Sequence, residues 1–163
     1  MNMKQELNIS NQQLAEWIDE WQESLFRYAF FRVGDRADAE DIVQDAFLKI
    51  ASTTSSVHNP KAYLYRVVTN SCINLQKRKS RFQPIEPKMP SQSSSDEYDA
   101  REEQQRIARL LGSLPDKQAE VIRLHIHAEL KFTEIAEVLE LPVTTVKSRF
   151  SSGIERLKQL FIN

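Results

Sequence analysis

FTEIAEVLELPVTTVKSRFSSGIERLKQL, residues 132–160, decides the fold of this chain. Its first part places apolar side chains at Ile135, Val138 and Leu139, which is a helical period. Leu141-Pro142 then breaks the pattern, because proline lacks a backbone donor and holds the residue before it in extended geometry. A longer helical period follows, with apolar side chains at Val143, Val146, Phe150, Ile154 and Leu157. The stretch therefore predicts a helix-turn-helix.

The second helix of this motif has a polar face of small hydroxyls and a cation. Its members are Thr144, Thr145, Lys147, Ser148, Ser151 and Ser152. Such a face suits a helix that enters the major groove of DNA. A helical hairpin with a solvated face fits the same periodicity, so the rest of the chain has to decide between the two interpretations.

Composition favours an all-α protein. The chain has 163 residues, of which 40% are hydrophobic, and only 3 glycines. Few glycines leave little room for tight turns or glycine-rich phosphate loops. The single cysteine, Cys72, excludes an internal disulfide framework and fits a reducing compartment. No apolar run resembles a signal peptide or reaches membrane-spanning length, so we expect a cytoplasmic protein without direct membrane insertion.

Charge is segregated along the chain, although the net charge is only −1. Residues 1–45 hold 4 Lys or Arg against 10 Asp or Glu, whereas residues 46–85 hold 7 Lys or Arg and no acid. Residues 86–105 are acidic again, and residues 106–163 are slightly basic. Because binding depends on local charge, this order indicates separate surfaces for separate partners.

Two folded units joined by a tether are predicted. Residues 84–100, PIEPKMPSQSSSDEYDA, hold three prolines and four serines and show little apolar periodicity, which is typical of a flexible linker. The N-terminal unit spans residues 11–83 and the C-terminal unit spans residues 101–163. We predict helices at 11–32, 37–52 and 60–70, with a fourth that follows, or continues the third after a local break, to residue 79. The C-terminal unit adds helices at 101–112 and 116–127 before the helix-turn-helix, and is therefore a four-helix unit.

The stretch YLYRVVTNSCINLQKRKSRF, residues 63–82, interleaves cations with aromatic and amide side chains. Cations neutralise phosphates, rings stack on unpaired bases, and amides read base edges. This pattern favours nucleic-acid binding over a merely solvated helix, because no acid interrupts forty residues. Its candidate residues are Tyr63, Tyr65, Arg66, Asn70, Asn74, Gln76, Lys77, Arg78, Lys79 and Arg81.

The stretch DRADAEDIVQDAFLKI, residues 35–50, carries an acidic ridge. Asp38, Asp41 and Asp45 share one helical face, with Gln44 beside them. A metal site or an acid/base pair is the alternative, but no histidine accompanies the carboxylates. We therefore expect a surface that docks a basic partner protein.

No catalytic set, metal site or cofactor site emerges from the remaining residues. His125 and His127 are two apart, so on a helix they point to different sides and do not readily share a metal. His58 is isolated, and Cys72 is expected to be a small buried residue rather than a nucleophile.

The order of these features resembles the extracytoplasmic-function (ECF) group of bacterial RNA polymerase sigma factors. Any one match alone is modest, and the specificity comes from all of them in this order. They are residues 38–47 (DAEDIVQDAF), Tyr63 to Val67 through Asn70, Leu114-Pro115, residues 134–139 (EIAEVL), Pro142-Val143 and residues 145–149 (TVKSR).

The resemblance implies a non-enzymatic promoter-specificity subunit, with a role for each motif. Core RNA polymerase is expected to dock on Asp41, Gln44 and Asp45. The −10 element of promoter DNA is expected to meet Tyr63, Arg66, Asn70, Asn74, Lys77, Arg78 and Arg81, with Asn70 at the position that captures a flipped base. The −35 element is expected to meet Thr144, Thr145, Lys147, Ser148, Arg149, Ser151 and Ser152. The resemblance also implies regulation by an anti-sigma factor.

Three other functions remain possible at this point. A conventional helix-turn-helix regulator with an N-terminal sensor or dimerisation domain would bind duplex DNA alone. A helical adaptor would bind only proteins. A small enzyme such as a nuclease would need carboxylates beyond the solvated ridge.

Overall fold

The structure is a computed structural model that describes residues 9–53, 56–81 and 95–162. Within those ranges all regular structure is helical, as predicted, and the helices run α1 Asn11–Val33, α2 Arg36–Ser52, α3 Pro60–Arg81, α4 Ser95–Gly112, α5 Asp116–Ile126, α6 Phe132–Leu139 and α7 Val143–Ile162. Most of the predicted tether lies outside the described residues.

Local sequence signals set the helix ends in the N-terminal unit. Ser10 begins α1 by accepting a hydrogen bond from the Gln13 amide, at 3.1 Å. Gly34 ends α1 in the left-handed conformation, with φ 77°, which glycine adopts at no steric cost. Asp35 then caps α2 by accepting a hydrogen bond from the Asp38 amide at 2.9 Å.

The region after residue 60 forms one continuous helix rather than two. Pro60 lies in the first turn of α3, and Asn59 accepts a hydrogen bond from the Ala62 amide at 3.1 Å. Of the two alternatives, α3 continues past Asn70 rather than giving way to a fourth helix, but without the predicted local break, so the described residues of the N-terminal unit form three helices. A threonine hydroxyl can bond a nearby backbone group and so disfavour a helix interior. Here the buried Thr69 hydroxyl hydrogen-bonds the Tyr28 hydroxyl instead, at 3.0 Å.

The C-terminal unit has the four predicted helices, but the first begins earlier. α4 starts at Ser95, six residues before the predicted residue 101. Serine is favoured at helix starts as well as in loops, so a serine run does not fix that boundary. Between α6 and α7, Glu140 takes the left-handed conformation with φ 56°, and Pro142 precedes α7. The predicted helix-turn-helix is therefore present.

The two units pack against each other. One hydrophobic cluster runs from Leu25 and Leu64 in the N-terminal unit to Leu124 and Ile135 in the C-terminal unit. A second cluster lies within the C-terminal unit, where Leu111, Leu114, Ala119 and Ile122 pack with Ile154 and Leu157. We call the contact between α1–α3 and α4–α7 the seam. It joins α1 to α4 and α5, and α3 to α6.

Candidate nucleic-acid and polymerase interfaces

The acidic ridge of α2 faces solvent. Asp41, Gln44 and Asp45 are exposed, while Ile42 and Val43 turn into the core. Asp38 differs from them, because its carboxylate accepts a hydrogen bond from Lys79 of α3 at 2.7 Å. The predicted docking residues thus form one exposed patch, and Asp38 ties α2 to α3.

Leu48 extends this patch and was missed from the sequence. Its side chain is 61% exposed and lies beside the polar residues of the patch. It follows Gln44 by one helical turn and lines, with Leu14, Ile18 and Phe47, a groove of about 780 Å³ between α1 and α2. A helical projection of the sequence could have found Leu48, because positions 41, 44, 45 and 48 lie on one side of a helix.

The continuous α3 aligns all seven predicted −10 residues. At about 100° per residue they fall within an arc of about 120°, so one face of one helix carries the whole set. At a rise of about 1.5 Å per residue this row is about 27 Å long. Asn70, Asn74, Lys77, Arg78 and Arg81 are exposed, and Tyr63 and Arg66 are partly buried. Tyr65, in contrast, is buried and belongs to the core.

Arg66 is engaged by the C-terminal unit. Its guanidinium donates to the backbone carbonyls of Val138, at 3.1 Å, and Glu137, at 2.8 Å. The carboxylate of Glu140 lies 3.5 Å away. Asn70 is exposed next to it and lines a small cavity of about 260 Å³ that ends against Leu139 and Glu140. In the N-terminal half of the α3 row, Arg66 therefore faces the end of α6. The residues of the C-terminal half, from Asn74 to Arg81, face solvent.

The polar face of α7 is open. Thr144, Lys147, Ser148, Ser151 and Ser152 are exposed on one side of the helix. Thr145 and Arg149 are half-buried and lie at the edge of that face. Val146 and Gly153 occupy the opposite side, in contact with the rest of the C-terminal unit. The structure thus separates five exposed candidates from two flanking ones.

A buried polar network lies in the seam below these surfaces, and sequence analysis did not find it. Arg32 of α1 pairs with Glu120 of α5 at 2.8 Å, with the two side chains only 6% and 15% exposed. Arg32 also donates to the Tyr28 hydroxyl at 3.2 Å. Burial lowers the pKa of Arg32, but Tyr28 and Glu120 outweigh it and the pKa is raised. Burial raises the pKa of Tyr28. The network therefore holds a cation, a carboxylate and a neutral phenol.

Cys72, His125 and His127 make contacts within the protein. Cys72 is buried, as predicted, and burial raises the pKa of its thiol to about 12, which leaves it unreactive. His125 hydrogen-bonds the Leu130 carbonyl at 2.9 Å, whereas the ring of His127 stacks on Phe31. The two rings thus point to different neighbours.

Two family profiles cover these surfaces. Sigma-70 region 2 matches residues 17–82, which contain the acidic ridge and the α3 row. Sigma-70 region 4 matches residues 104–157, which contain the helix-turn-helix. The fold and its surfaces therefore define the class as sigma factors of bacterial RNA polymerase.

Curated relatives identify the group within that class. The chain is 28% identical over 162 residues to the ECF RNA polymerase sigma factor SigW of Bacillus subtilis, covering 89% of this chain and 87% of that protein. It is 30% identical over 149 residues to the ECF sigma factor SigL of Mycobacterium tuberculosis, covering 86% and 84%. The chain belongs to the ECF sigma factor family, whose members are promoter-recognising subunits of RNA polymerase.

Solved structures share the fold. CnrH, in complex with the cytosolic domain of CnrY, superposes with a TM-score of 0.72 at 24% identity, covering 93% of this chain and 89% of that one. The sigma factor RpoE of Bartonella quintana, in complex with the anti-sigma factor NepR, has a TM-score of 0.61 at 22% identity, with coverage of 92% and 97%. Among the described residues of our chain, none of the helices has the length and apolar character to cross a membrane.

Proposed function

We propose that residues 11–83 dock core polymerase and bind the −10 element, and that residues 101–163 bind the −35 element. Of the predicted linker 84–100, residues 95–100 belong to α4, and residues 84–94, which lie outside the described residues, connect the two units. The observation that carries this division is the geometry of α3. One face of a single helix presents an amide-and-cation row about 27 Å long, while α2 presents an acidic patch and α7 presents a hydroxyl-rich face. Three surfaces of different chemistry suit three different partners.

Core polymerase docks, in this proposal, on Asp41, Gln44 and Asp45. The exposed Leu48 adds an apolar contact at the end of the same stripe. A basic helical segment of the polymerase would place cations opposite the carboxylates and an apolar side chain against Leu48. Complementary charge of this kind sets the encounter rate and the register of a complex more than its raw affinity.

The −10 element meets the α3 row. Asn70 is exposed at its middle, where its amide can pair with the edge of an unstacked base. Tyr63 and Arg66 flank it on one side, and Asn74, Lys77, Arg78 and Arg81 continue toward the duplex and its phosphates on the other. Extruding a base costs a few kcal/mol. The free chain has to draw this energy from polymerase binding, so opening takes place in the holoenzyme.

The −35 element meets the exposed face of α7. Thr144, Lys147, Ser148, Ser151 and Ser152 can reach base edges from the major groove, because they lie on the solvent side of the helix. Thr145 and Arg149 stand at the edge of this face and are suited to contacts with the phosphate backbone, which position the helix rather than read sequence.

An anti-sigma factor is the further partner that we propose. RpoE was solved in complex with the anti-sigma factor NepR and CnrH in complex with the cytosolic domain of CnrY, and both share the fold of this chain. The protein would work in the cytoplasm, where polymerase and promoter DNA are found. It would need no cofactor and carry out no catalysis of its own.

The test is transcription by core polymerase on a promoter library. We expect Asn70→Ala to bind core polymerase like wild type but to lower promoter-dependent transcript by about tenfold or more, because a base contact is worth about 1–3 kcal/mol. Asp41→Ala/Asp45→Ala should lose polymerase binding. Matched controls are Asn11→Ala and Asp99→Ala/Glu102→Ala, which change exposed residues outside the proposed surfaces.

Two results would contradict the proposal. No promoter-dependent transcript with wild-type protein would remove the sigma assignment of these surfaces as a whole. Unchanged polymerase binding by Asp41→Ala/Asp45→Ala would remove the docking patch alone.

A further inference from the structure

Exposed apolar side chains concentrate at two places on the molecule. Among the residues that the structure describes, the large hydrophobic side chains that face solvent are Leu48, Tyr98, Ile126, Leu160, Phe161 and Ile162. Three of them follow one another at the end of α7, where Phe161 is 74% and Ile162 is 82% exposed. Leu48 lines the groove between α1 and α2. Single exposed apolar side chains are common, whereas contiguous ones indicate a surface that contacts another molecule.

The end of α7 combines these apolar side chains with cations. Residues 156–162, RLKQLFI, which we call the α7 tail, hold two cations and no acid. Leu157 packs against the second hydrophobic cluster, so the tail is fixed to the C-terminal unit at its start. Both cations are exposed, and each precedes an exposed apolar side chain by four positions, which places the two on the same face of the helix.

The groove between α1 and α2 has the complementary character. Its volume is about 780 Å³, and its walls include the apolar side chains of Leu14, Ile18, Phe26 and Phe47. Three exposed carboxylates also line it, those of Asp19, Glu23 and Glu40. Arg36 is the cation among the lining residues, and it pairs with Glu40 at 3.1 Å. The groove is therefore apolar inside and acidic at its rim.

The α7 tail does not fill this groove within one chain, because α7 packs on α5 and α6 and its last residues stay exposed. A second copy can supply the tail. An amphipathic helix enters a groove with its apolar side chains, and opposite charges at the rim set its orientation. The tail has apolar and basic side chains in that arrangement, and the groove has the apolar walls and the negative charge to receive them.

We propose that the α7 tail of one copy docks in the α1–α2 groove of a second copy, so that the protein self-associates head to tail. The apolar side chains of the tail enter the groove, while Arg156 and Lys158 face Asp19 and Glu23. Because the two surfaces differ, each bound copy keeps one of them free, and the assembly grows unless a ring closes. Gln44 also lines the groove. If Gln44 has its proposed docking role, self-association and polymerase binding exclude each other.

Analytical ultracentrifugation of the full chain, without polymerase, measures the self-association. A contact of this small size is expected to have a dissociation constant of about 1–100 μM. Across that range, the mass of the wild-type protein should rise with concentration above the 18.9 kDa of a single chain. A wild-type protein that keeps the mass of a single chain throughout would overturn the proposal and assign the α7 tail to a different partner.

Two variants remove the contact from opposite sides. Leu160→Ser/Phe161→Ser, the tail variant, removes the apolar anchor, and Asp19→Lys/Glu23→Lys, the groove variant, reverses the charge of the rim. All four side chains are exposed, so both variants should fold like wild type by circular dichroism. Each should keep the mass of a single chain over the same concentrations. Association of either folded variant as strong as that of wild type would overturn the proposal.

Matched controls change similar side chains elsewhere. Ile126→Ser removes an apolar side chain that is 53% exposed and belongs to neither surface. Asp99→Lys/Glu102→Lys makes the same charge change on exposed residues that do not line the groove. Both controls should associate like wild type. Equal losses in the controls and in the two test variants would overturn the assignment of these surfaces.

Mixing the two variants tests the head-to-tail geometry. The tail variant keeps an intact groove and the groove variant keeps an intact tail, so an equimolar mixture should form a dimer that grows no further. A mixture that keeps the mass of a single chain would overturn the proposal. Because polymerase is absent from these measurements, they are independent of the transcription assay that tests the proposed function, so the two failures are distinguishable.

Discussion

His127 is buried just after α5, where its ring stacks on Phe31 of α1 with centroids 4.4 Å apart. Burial, together with the positive charges of the nearby Arg123 and Arg27, lowers the pKa of this imidazole from its ordinary 6.5 to about 4. The imidazole is therefore neutral in the folded protein at neutral pH. A cation at this position would face two guanidinium groups inside the seam.

We predict that His127 makes the protein less stable in mild acid. The unfolded chain takes up a proton near pH 6.5, whereas the folded chain does so only near pH 4. The contribution of neutral His127 to the free energy of unfolding is thus fully present above pH 6.5 and is lost as the pH falls to about 4. His127→Phe keeps an aromatic ring on Phe31 but cannot titrate, so it should flatten the slope of unfolding free energy against pH in this window.

Urea unfolding between pH 4 and pH 7 measures that slope. His58→Gln is the control, because it removes an exposed imidazole outside the seam. A slope in His127→Phe as steep as that in wild type and in His58→Gln would show that His127 is not the group responsible.

Single residues were predictable where a local period places them. The exposure of Asp41, Gln44 and Asp45 was predictable from the helical spacing of the apolar residues between them. The burial of Cys72 was predictable because a free cysteine behaves as a small apolar residue. The pair Arg32–Glu120 was not predictable, because its members are 88 positions apart and leave no local pattern. Arg66 was assigned to DNA from its sequence neighbours, but its contact with α6 depends on how the units meet.

At the level of elements, α7 crosses α5 at Gly153. A Cβ atom added there would lie 2.6 Å from Ile122 Cδ1 and 3.3 Å from Gln118 Cβ. Ile122 is only 1% exposed, so its side chain has little space to move aside. Glycine therefore permits the close approach that fixes α7 on the unit.

We predict that Gly153→Val destabilises the C-terminal unit by about 1–3 kcal/mol, as expected for overpacking of a close contact. Gly112→Val is the matched control, because a Cβ at Gly112 has no atom within 4 Å. It should change stability by no more than about 0.5 kcal/mol, given the small propensity difference in an exposed helix. Thermal and urea unfolding measure both variants, and equal losses at the two glycines would contradict the crossing geometry.

The helix boundaries agreed with the sequence where a glycine, a proline or a capping residue marks the end of a helix. Gly34 with Asp35 and Asn59 with Pro60 lie at helix ends close to the predicted ranges, and Pro142 begins a helix at the predicted break. The polar run around Asn70 was weaker evidence, because the helix runs through it while the Thr69 hydroxyl hydrogen-bonds the Tyr28 hydroxyl of α1. This continuity matters for the proposed function, because it aligns the proposed −10 residues along one face of α3.

Across the whole molecule, the charge segregation of the sequence becomes a division of surfaces. The acidic N-terminal segment supplies the proposed docking patch of α2, and the basic stretch after it supplies the row on α3. Sequence analysis predicted these two surfaces and the helix-turn-helix. It did not predict the seam, since the association of two units depends on shape and on pairs of residues distant in sequence.

The central claim is that this chain and core polymerase together open promoter DNA through the face of α3. Permanganate reactivity of thymines tests it directly, because the reagent attacks unpaired bases. On a promoter selected from the library, we predict reactive thymines at the −10 element only with both proteins present, with the signal retained by Asn11→Ala and about tenfold weaker with Asn70→Ala. Equal reactivity with core polymerase alone, or with Asn70→Ala, would contradict the account.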